Sequence, residues 1–506
     1  GTVQSGIAFL QQPVIQLQDG SGNRVSQAGI AVGVTIASGG GTLGGATSAT
    51  TDTAGQAVFT TVSIAGTVGP RTLRFGAAGL DSVTSATVNV TAGVATQIAP
   101  NGGDGQQATT GTAVLTPPSV IVRDASNNPV QGVGVTFAPA SGGGSVTGAE
   151  QTTNAAGIAT VGSWTLGTTA GPNTLTATAA GLAGSPVTFQ AQGTAGPAAT
   201  LAKFSGDNQV GQVGTALATP HTALVTDAHG NPVPNVTVTW AAASGGGSVN
   251  PTSSVTDAAG HASTTRTLGP TPGTQTTTAS AAGLTPVTFS VTAQVGGATQ
   301  MAISGGQGQT DTVGQTLPVP LSVRVADALN NPVAGVTISW SVVDGGGSVN
   351  PLSSSTNSSG IASTNWTLGT GMTPTDSTQT AQATGVGSAL SFTGFTVPGA
   401  VDASQTTVVA APATISASTG SSASTITVTA RDQYGNVIKS KTVTLAATGQ
   451  SNTLTQPSGV TGPNGVATGT LSSTLAQVKS VSATVGSVAI TQHATVTVTS
   501  DIADTL

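Results

Sequence analysis

The sequence contains no cysteine and is poor in charged and aromatic residues. Without cysteine the chain has no disulfide framework, no thiolate metal site and no cysteine nucleophile. Charged residues are 6% of the chain, against ~25% in an average soluble domain. Glu150 is the only glutamate, which excludes a paired-glutamate glycosidase site. The 11 lysines and arginines are scattered, which excludes the cationic stripe that nucleic-acid binding needs.

Long apolar runs are also missing, because no stretch approaches the ~18 consecutive apolar residues of a membrane-spanning helix. What is abundant is glycine, with 71 residues, together with alanine, serine, threonine and valine. Glycine and the hydroxyl residues are poor helix formers, whereas valine and threonine fit pleated strands. The composition therefore predicts an all-β protein that stays soluble through hydroxyl and amide groups.

Two sequence landmarks recur along the whole chain at one interval. The first is an Asp-x-x-x-Asn turn, which begins at Asp19, Asp124, Asp227, Asp327 and Asp432. The second is a glycine after a short polar segment, at Gly55, Gly157, Gly260, Gly360 and Gly465. Both recur every ~100 residues, which is typical of tandem domains. We predict five domains, the fifth more divergent and with a short C-terminal tail, at residues 1–94, 95–196, 197–297, 298–398 and 399–506.

Each repeat has the pattern of short strands joined by turns. In the third repeat Val236, Val238 and Trp240 alternate with polar residues, the period of a half-buried strand. In the preceding turn the aspartate is expected to accept backbone N–H groups, while Gly or Asn supplies a left-handed residue. Seven or so strands per repeat predict an immunoglobulin-like β-sandwich. The tryptophans are expected to pack in the cores rather than to form a sugar-binding platform.

The repeated motifs resemble a known family. These motifs are Asp-Ala-x-x-Asn-Pro-Val, then Val-Thr-x-Trp/Phe, Gly-Gly-Gly-Ser-Val, and (Asp/Asn)-x-x-Gly-x-Ala. Together they resemble the group 1 bacterial Ig-like domain of the invasin/intimin family, most closely in the second, third and fourth repeats. The resemblance implies a domain used in series on bacterial surface proteins, as a stalk or an adhesin.

The third repeat contains three of the four histidines, which makes it the candidate place for a catalytic site. His221, His229 and His261 could meet Asp227 and Asp257 there. His229, however, fills the variable position of the turn, and His261 replaces an isoleucine of other repeats. We interpret them as solvent-facing or strand residues. No nucleophile elbow or phosphate loop occurs in a strand–turn–helix context, so we predict no enzyme and no catalytic or cofactor-binding residue.

Calcium is the one cofactor that the sequence leaves open. Aspartates near the predicted domain boundaries could supply oxygen ligands at Asp104, Asp124, Asp207, Asp227, Asp311 and Asp327. Calcium takes six to eight oxygens, usually with several carboxylates. About two acidic residues at each boundary are too few for a tight site. We therefore predict structural turns at these positions and keep calcium as the weaker alternative.

The first repeat lacks a counterpart of the segment that opens the others. Aligning Asp19 with Asp124 places Gly1 opposite Gln106, so nothing corresponds to the strand predicted at residues 95–100. A sandwich without an edge strand exposes unpaired backbone groups. Either the protein continues before Gly1, or a strand arrives from another chain, as in donor-strand fibres. The tail at residues 495–506 is then a candidate donor.

The sequence thus predicts a non-catalytic extracellular structural protein. Its five sandwiches form an elongated rod that serves as a stalk or adhesin segment on a bacterial surface. The alternative is a subunit of an extracellular fibre assembled by strand donation, and a weaker one is a glycan-binding module of a secreted enzyme. The expected partners are other copies of the chain or neighbouring surface and matrix proteins, with no nucleic acid.

Overall fold

The regular structure of the described part of the chain consists of strands. The computed structural model describes residues 1–373 and 376–500, and this part contains no helix. Strand pairing falls into five successive groups, and no backbone pairing joins one group to another in the described part. Each group buries a hydrophobic core between facing sheets. The predicted class of tandem immunoglobulin-like β-sandwiches is confirmed, while the domain boundaries stay our proposal.

The first group ends with a strand at Val88–Thr91. Its strands are β1 (Thr2–Gln4), β2 (Val14–Gln16), β3 (Ala31–Ser38), β4 (Thr42–Gly44), β5 (Ser48–Thr50), β6 (Gln56–Val58), β7 (Ser63–Ala65), β8 (Gly69–Gly76), β9 (Val83–Thr84) and β10 (Val88–Thr91). One sheet has the order β1-β10-β8-β3-β5, with β9 beside β8. The pairs β2-β6 and β4-β7 complete the group.

The second group begins with a long strand. Its strands are β11 (Ala95–Gly102), β12 (Gln106–Thr109), β13 (Ser119–Asp124), β14 (Gly134–Ser141), β15 (Ser145–Thr147), β16 (Glu150–Thr152), β17 (Ile158–Thr160), β18 (Ser163–Thr165), β19 (Gly171–Thr178) and β20 (Val187–Thr194). One sheet has the order β12-β20-β19-β14-β16, and the other side holds β11-β13-β17 and β15-β18.

The third and fourth groups share one topology. The third has β21 (Thr200–Ser205), β22 (Val210–Gln212), β23 (His221–Thr226), β24 (Thr237–Ser244), β25 (Ser248–Asn250), β26 (Ser253–Val255), β27 (His261–Thr267), β28 (Gly273–Ala281) and β29 (Val287–Gln294). The fourth has β30 (Gln300–Gly305), β31 (Gln309–Thr312), β32 (Leu321–Ala326), β33 (Thr337–Asp344), β34 (Gly347–Asn350), β35 (Ser353–Ser355), β36 (Ile361–Leu368), β37 (Thr378–Thr384) and β38 (Leu390–Val397). Four-stranded sheets β21-β23-β27-β25 and β30-β32-β36-β34 accompany five-stranded sheets β22-β29-β28-β24-β26 and β31-β38-β37-β33-β35.

The fifth group is a variant of the same sandwich. Its strands are β39 (Thr407–Ala411), β40 (Thr414–Ser416), β41 (Ser424–Thr429), β42 (Val443–Ala447), β43 (Asn452–Thr455), β44 (Val466–Ser473), β45 (Val478–Val485), β46 (Val488–Ala489) and β47 (Ala494–Thr499). The sheets have the orders β39-β41-β44-β43 and β40-β47-β45-β42, with β46 beside β45.

The opening strand of a sandwich crosses from one sheet to the other. In the second group β11 pairs antiparallel with β13, and β12 then pairs parallel with β20 in the facing sheet. The crossing occurs at Gly103, which has φ 85° and lies against Pro118. A Cβ on Gly103 would come within 2.6 Å of the Pro118 backbone, so only glycine fits this crossing.

Alternate side chains of the long strands fill the cores. In β24 Val238 and Trp240 are buried, while Thr237 and Thr239, which alternate with them, are exposed. All four tryptophans are at most 4% exposed. Trp240 and Trp340 each lie 5.9 Å, between ring centroids, from a core phenylalanine, Phe289 and Phe392 respectively. The prediction that the tryptophans pack in the cores is confirmed.

One edge of β2 has no partner strand among the described residues. The equivalent strand β13 lies between β11 and β17, whereas β2 pairs only with β6. Ile15 on β2 and Leu17 just after it are partly exposed, whereas their counterparts Val120 and Val122 are fully buried.

The prediction that residues 495–506 form a free tail is wrong for its first part. Residues 495–499 belong to β47, which pairs with β45 on one side and β40 on the other. Both edges of this strand are therefore already hydrogen-bonded within its own sandwich. Residues 501–506 lie outside the described part of the chain.

Candidate functional site: the joints between sandwiches

Each Asp-x-x-x-Asn turn is built around its aspartate side chain. Oδ1 of Asp124 accepts hydrogen bonds from the backbone N–H groups of Ser126 and Asn128, both at 2.8 Å. Asn127 between them has φ 67°, a left-handed conformation that asparagine tolerates. The same pair of bonds is made in the other groups by Asp19, Asp227, Asp327 and Asp432. The predicted turn chemistry is confirmed.

The second carboxylate oxygen of the turn holds the linker that arrives from the preceding sandwich. Oδ2 of Asp124 accepts the backbone N–H of Gly93 at 2.7 Å. The equivalent bonds, at 2.8, 2.9 and 2.9 Å, join Asp227 to Gly196, Asp327 to Gly296 and Asp432 to Gly399. One aspartate thus fixes both its own turn and the short linker.

The asparagine that ends the turn bridges two successive sandwiches. Nδ2 of Asn231 donates to Oδ2 of Asp227 at 2.9 Å and to the carbonyl of Thr168 at 2.8 Å. Its Oδ1 accepts the N–H of Ala170 at 2.8 Å. Asn128 and Asn436 make the same two contacts with the loop of the preceding sandwich. We call each set of turn, linker glycine and bridging asparagine a joint, and we number the four joints in chain order.

The third residue of each turn also lies against the preceding sandwich. Ser126 shares a hydrogen bond of 2.9 Å with Ser5. In the later joints the contact is a glycine, and a Cβ built there would lie 3.0–3.5 Å from the facing side chain. These pairs are Gly111 with His229, Gly214 with Leu329, and Gly314 with Tyr434. The position that we interpreted as a variable turn residue is therefore a joint contact, and it differs in every joint.

A buried polar side chain supports the loop that each joint engages. Oε1 of Gln379 accepts the N–H of Gly369 at 2.7 Å, and Oδ1 of Asn173 accepts that of Gly167 at 3.0 Å. These residues occupy one strand position, on β8, β19, β28, β37 and β45, as Arg71, Asn173, Gln275, Gln379 and Lys479. All five are at most 4% exposed. The sequence analysis missed them because the position holds four different residue types in the five repeats. The signal available in the sequence was a polar residue at a strand position whose side chain faces the core.

Hydrogen bonding sets the ionisation of the turn aspartates. Burial opposes ionisation of Asp227, but hydrogen bonds from Asn231 and from the N–H groups of Gly196 and His229 outweigh it. The pKa of Asp227 is thereby lowered to about 2. The same balance of burial and hydrogen bonds lowers the pKa of Asp124 and of Asp327. These aspartates are anionic at neutral pH, and their oxygens are occupied by N–H donors.

The other three predicted calcium ligands accept hydrogen bonds within their own sandwiches. Asp104 accepts the N–H of Gln190 at 2.7 Å, and Asp207 accepts that of Ser290 at 2.8 Å, each within its own sandwich. Asp311 lies on β31 and accepts the N–H of Thr312. Residues 1–373 and 376–500 bring no three His, Asp or Glu side chains close enough to hold a metal ion. Calcium binding stays an untested alternative.

The histidines of the third sandwich have separate surroundings. His221 is fully buried; its Nδ1 bonds the carbonyl of Gly206 at 2.9 Å, and its ring lies 4.6 Å from that of Phe289. Burial lowers the pKa of His221. His261 stacks on Phe204, and His229 lies in the second joint. The structure therefore does not bring the three histidines to one site.

The fold and the joints define a protein of tandem immunoglobulin-like sandwiches tied end to end by polar contacts. The family model of the bacterial Ig-like domain (group 1) matches residues 214–293 and 403–499. The predicted family resemblance is confirmed by these matches. No curated protein sequence was found to match the chain. No helix among the described residues has the length and apolar character needed to cross a membrane.

The chain is similar, at low sequence identity, to several solved structures. The Escherichia coli adhesin FdeC is 20% identical, with 60% of this chain and 99% of that chain covered and a TM-score of 0.36. Invasin, a bacterial integrin-binding protein, is 18% identical over 59% of this chain and 60% of its own, with a TM-score of 0.35. InvD of Yersinia pseudotuberculosis is 17% identical over 59% and 96%, with a TM-score of 0.31.

Proposed function

We propose that the chain is a non-catalytic segment of an extracellular stalk on a bacterial surface. The observation that carries this proposal is the repetition of one joint design between every pair of successive sandwiches. A linker hydrogen-bonded to the next turn, and an asparagine bonded to the loop before it, restrict the freedom between neighbours. Such a series acts as a spacer that holds an attached part away from a surface.

The low charge supports the same role. The described residues contain one salt bridge, between Lys203 and Asp207, and charged residues are 6% of the chain. Self-repulsion between neighbouring stalks is therefore small, which suits lateral packing in a crowded surface layer. The partners that we propose are accordingly other copies of the chain and neighbouring surface or matrix proteins.

Electron microscopy of the purified chain tests the stalk proposal. We expect isolated, extended particles of uniform length, and an antibody raised against the chain should label intact cells of the source bacterium. Compact particles, or labelling only after the cells are broken open, would contradict the proposal.

A fibre assembled by strand donation is the second candidate. Its supporting observation is the open edge of β2, where Ile15 and Leu17 are partly exposed. In the donor first suggested, residues 495–499 are already paired within their own sandwich as part of β47, and residues 501–506 lie outside the described part of the chain. Continuous filaments in the micrographs, shortened by an added peptide of residues 95–102, would favour this candidate over isolated stalks.

The glycan-binding alternative has less support. All four tryptophans are buried, so none offers the exposed ring on which a sugar stacks. We expect no binding of the purified chain on a glycan array. Binding that is lost when the exposed Tyr434 is replaced by alanine would revive this alternative.

A further inference from the structure

The third joint lacks a hydrogen bond that the other three possess. In the first, second and fourth joints the bridging asparagine accepts a backbone N–H from the preceding sandwich, at 2.8–3.0 Å. The donors are Val68, Ala170 and Met372. The corresponding position before the third joint is Pro272, which has no N–H group. The side chain of Asn331 therefore makes one hydrogen bond across the joint, to the carbonyl of Pro270 at 2.8 Å, besides its bonds to Asp327 in its own turn.

The bridging asparagine is buried in the three joints that have this hydrogen bond, and it is less buried in the third joint, which lacks the bond. Asn128, Asn231 and Asn436 are 4%, 5% and 6% exposed. Asn331 is partly exposed, and no donor in the described residues bonds its Oδ1. The amide group of Asn331 is thus fixed by one bond across the joint rather than two, so rotation about that bond is less restricted.

The remaining contact of the third joint is apolar. Leu329 occupies the third position of the turn, against Gly214. The serine of the first joint makes a directional hydrogen bond to Ser5 instead. An apolar contact has no preferred direction, so a leucine side chain can slide over glycine without breaking a bond. The linker bond from the N–H of Gly296 to Asp327, at 2.9 Å, is the same in this joint as in the other three.

We infer that the third joint is a hinge, and that Pro272 makes it one. The third and fourth sandwiches bend and twist against each other over a wider range than the neighbours at the other joints. The hinge divides the chain into a stiffer segment of three sandwiches and one of two. The inference goes beyond the stalk proposal, because it concerns the mobility of the chain and holds wherever the chain is located.

Distances between spin labels measure this mobility directly, and the absence of cysteine permits labels at chosen sites. Exposed, equivalent strand positions are available at Ala138, Ala241, Ser341 and Ala446. Cysteine pairs at positions 138 and 241, 241 and 341, and 341 and 446 then span the second, third and fourth joints of the intact chain. We expect the distance distribution across the third joint to be the widest of the three.

Pro272→Ala supplies the missing N–H and should narrow that distribution toward the width seen at the second joint. Because one net hydrogen bond changes an equilibrium by roughly three- to tenfold, the bent population should fall by that factor. Pro270→Ala is the matched control, since it removes a proline from the same loop but keeps the carbonyl that Asn331 uses. In the reverse direction, Ala170→Pro should widen the distribution across the second joint.

Three results would overturn the inference. The first is a distance distribution across the third joint that is no wider than that across the second. The second is a distribution whose width Pro272→Ala leaves unchanged. The third is a distribution that Pro270→Ala narrows as much as Pro272→Ala does. A melting scan of each variant shows whether the sandwiches remain folded. If Ala170→Pro unfolds its sandwich, the comparison of Pro272→Ala with Pro270→Ala decides alone.

Discussion

At the scale of the residue, Asn231 shows why a single amide can join two domains. Its side chain carries two N–H donors and one acceptor oxygen, and the second joint uses all of them. Asp227 binds both the turn and the linker, and Asn231 binds both Asp227 and the loop of the preceding sandwich. The turn, the linker and the loop therefore meet at these two side chains. An aspartate in place of Asn231 would set two carboxylates side by side, and a serine would be too short.

Asn231→Ala should loosen the second joint. The change leaves the N–H of Ala170 and the carbonyl of Thr168 without the amide that they bond, while Oδ2 of Asp227 keeps its bond from Gly196. Loss of partners by such groups costs about 1–3 kcal/mol where they are buried. Hydrogen exchange of the intact chain, read by mass spectrometry, should show faster exchange in residues 168–172. Asn23→Ala is the control, because Asn23 is exposed and its side chain bonds only Asp19. Equal exchange in the two variants would contradict the assigned role.

The second joint should also weaken in acid. The pKa of Asp227 is about 2 in the folded chain, below its ordinary value of 3.8. A group whose pKa is lowered by folding stabilises the fold above its unfolded pKa, and it loses that contribution as pH falls through the folded value. Exchange of residues 168–172 should therefore quicken, relative to a distant reference segment, between about pH 4 and pH 2. In Asp227→Asn this extra acid dependence should be absent.

His221 should give the third sandwich a different pH dependence. Burial lowers the pKa of His221 below its ordinary 6.5, so protonation favours the unfolded chain. The stability of this sandwich is then complete above pH 6.5 and declines as pH falls below it. Calorimetry at pH 7.5 and pH 5 should show one transition moving to lower temperature. His221→Leu, which introduces the residue found at Leu321 of the fourth sandwich, should abolish the fall in transition temperature between pH 7.5 and pH 5. If the fall persists in this variant, another titrating group causes it.

At the scale of the element, the glycine tracts are shaped by the polar side chain beneath them. Gly245 and Gly246 both have positive φ, at 77° and 69°. A Cβ on Gly245 would come within 2.3 Å of Gln275, whereas the nearest atom to a Cβ on Gly246 is 3.6 Å away. Gln275 in turn holds the loop that the third joint engages, through the N–H of Gly269 at 2.8 Å.

Two alanine variants separate these effects. Gly246→Ala should cost only the left-handed backbone penalty, about 1–2 kcal/mol. Gly245→Ala should cost more, because it also displaces Gln275 and the bonds of that side chain. Chemical unfolding of the intact chain, followed by the fluorescence of Trp240 and the other tryptophans, measures both. Equal costs would mean that Gln275 adapts without losing its contacts.

At the scale of the whole molecule, four joints of one design connect sandwiches whose cores are separate. The turn and the linker keep the same chemistry throughout, while the third turn residue changes from serine to histidine, leucine and tyrosine. Stiffness can therefore differ from joint to joint without a change in the fold of any sandwich.

Removal of divalent cations should leave this architecture intact. The turn carboxylates are occupied by N–H donors, so we expect the same melting curve with and without a chelator such as EDTA. The measurement is calorimetry of the whole chain, with added calcium as the second arm. A transition lowered by the chelator and restored by calcium would support the weaker calcium alternative at Asp124, Asp227 and Asp327.

The sequence alone determined the repeating sandwich, the turn and the buried tryptophans. Alternation along a strand and the chemistry of Asp-x-x-x-Asn are local properties, so they can be interpreted without knowing which segments meet. It also located the candidate aspartates, of which Asp124, Asp227 and Asp327 lie in joints. Asp104, Asp207 and Asp311 were expected beside them only because they are close in sequence.

Tertiary structure decided what the side chains of the turn contact. Asn231 meets Thr168 and Ala170 some sixty residues before it, and no local pattern indicates that approach. The support from Gln379 and its counterparts was hidden for the same reason, since arginine, asparagine, glutamine and lysine all satisfy one buried position by donating or accepting bonds. The role of Pro272 likewise depends on the tertiary structure. Its missing N–H has a consequence only because the fold places that position opposite the side-chain oxygen of Asn331.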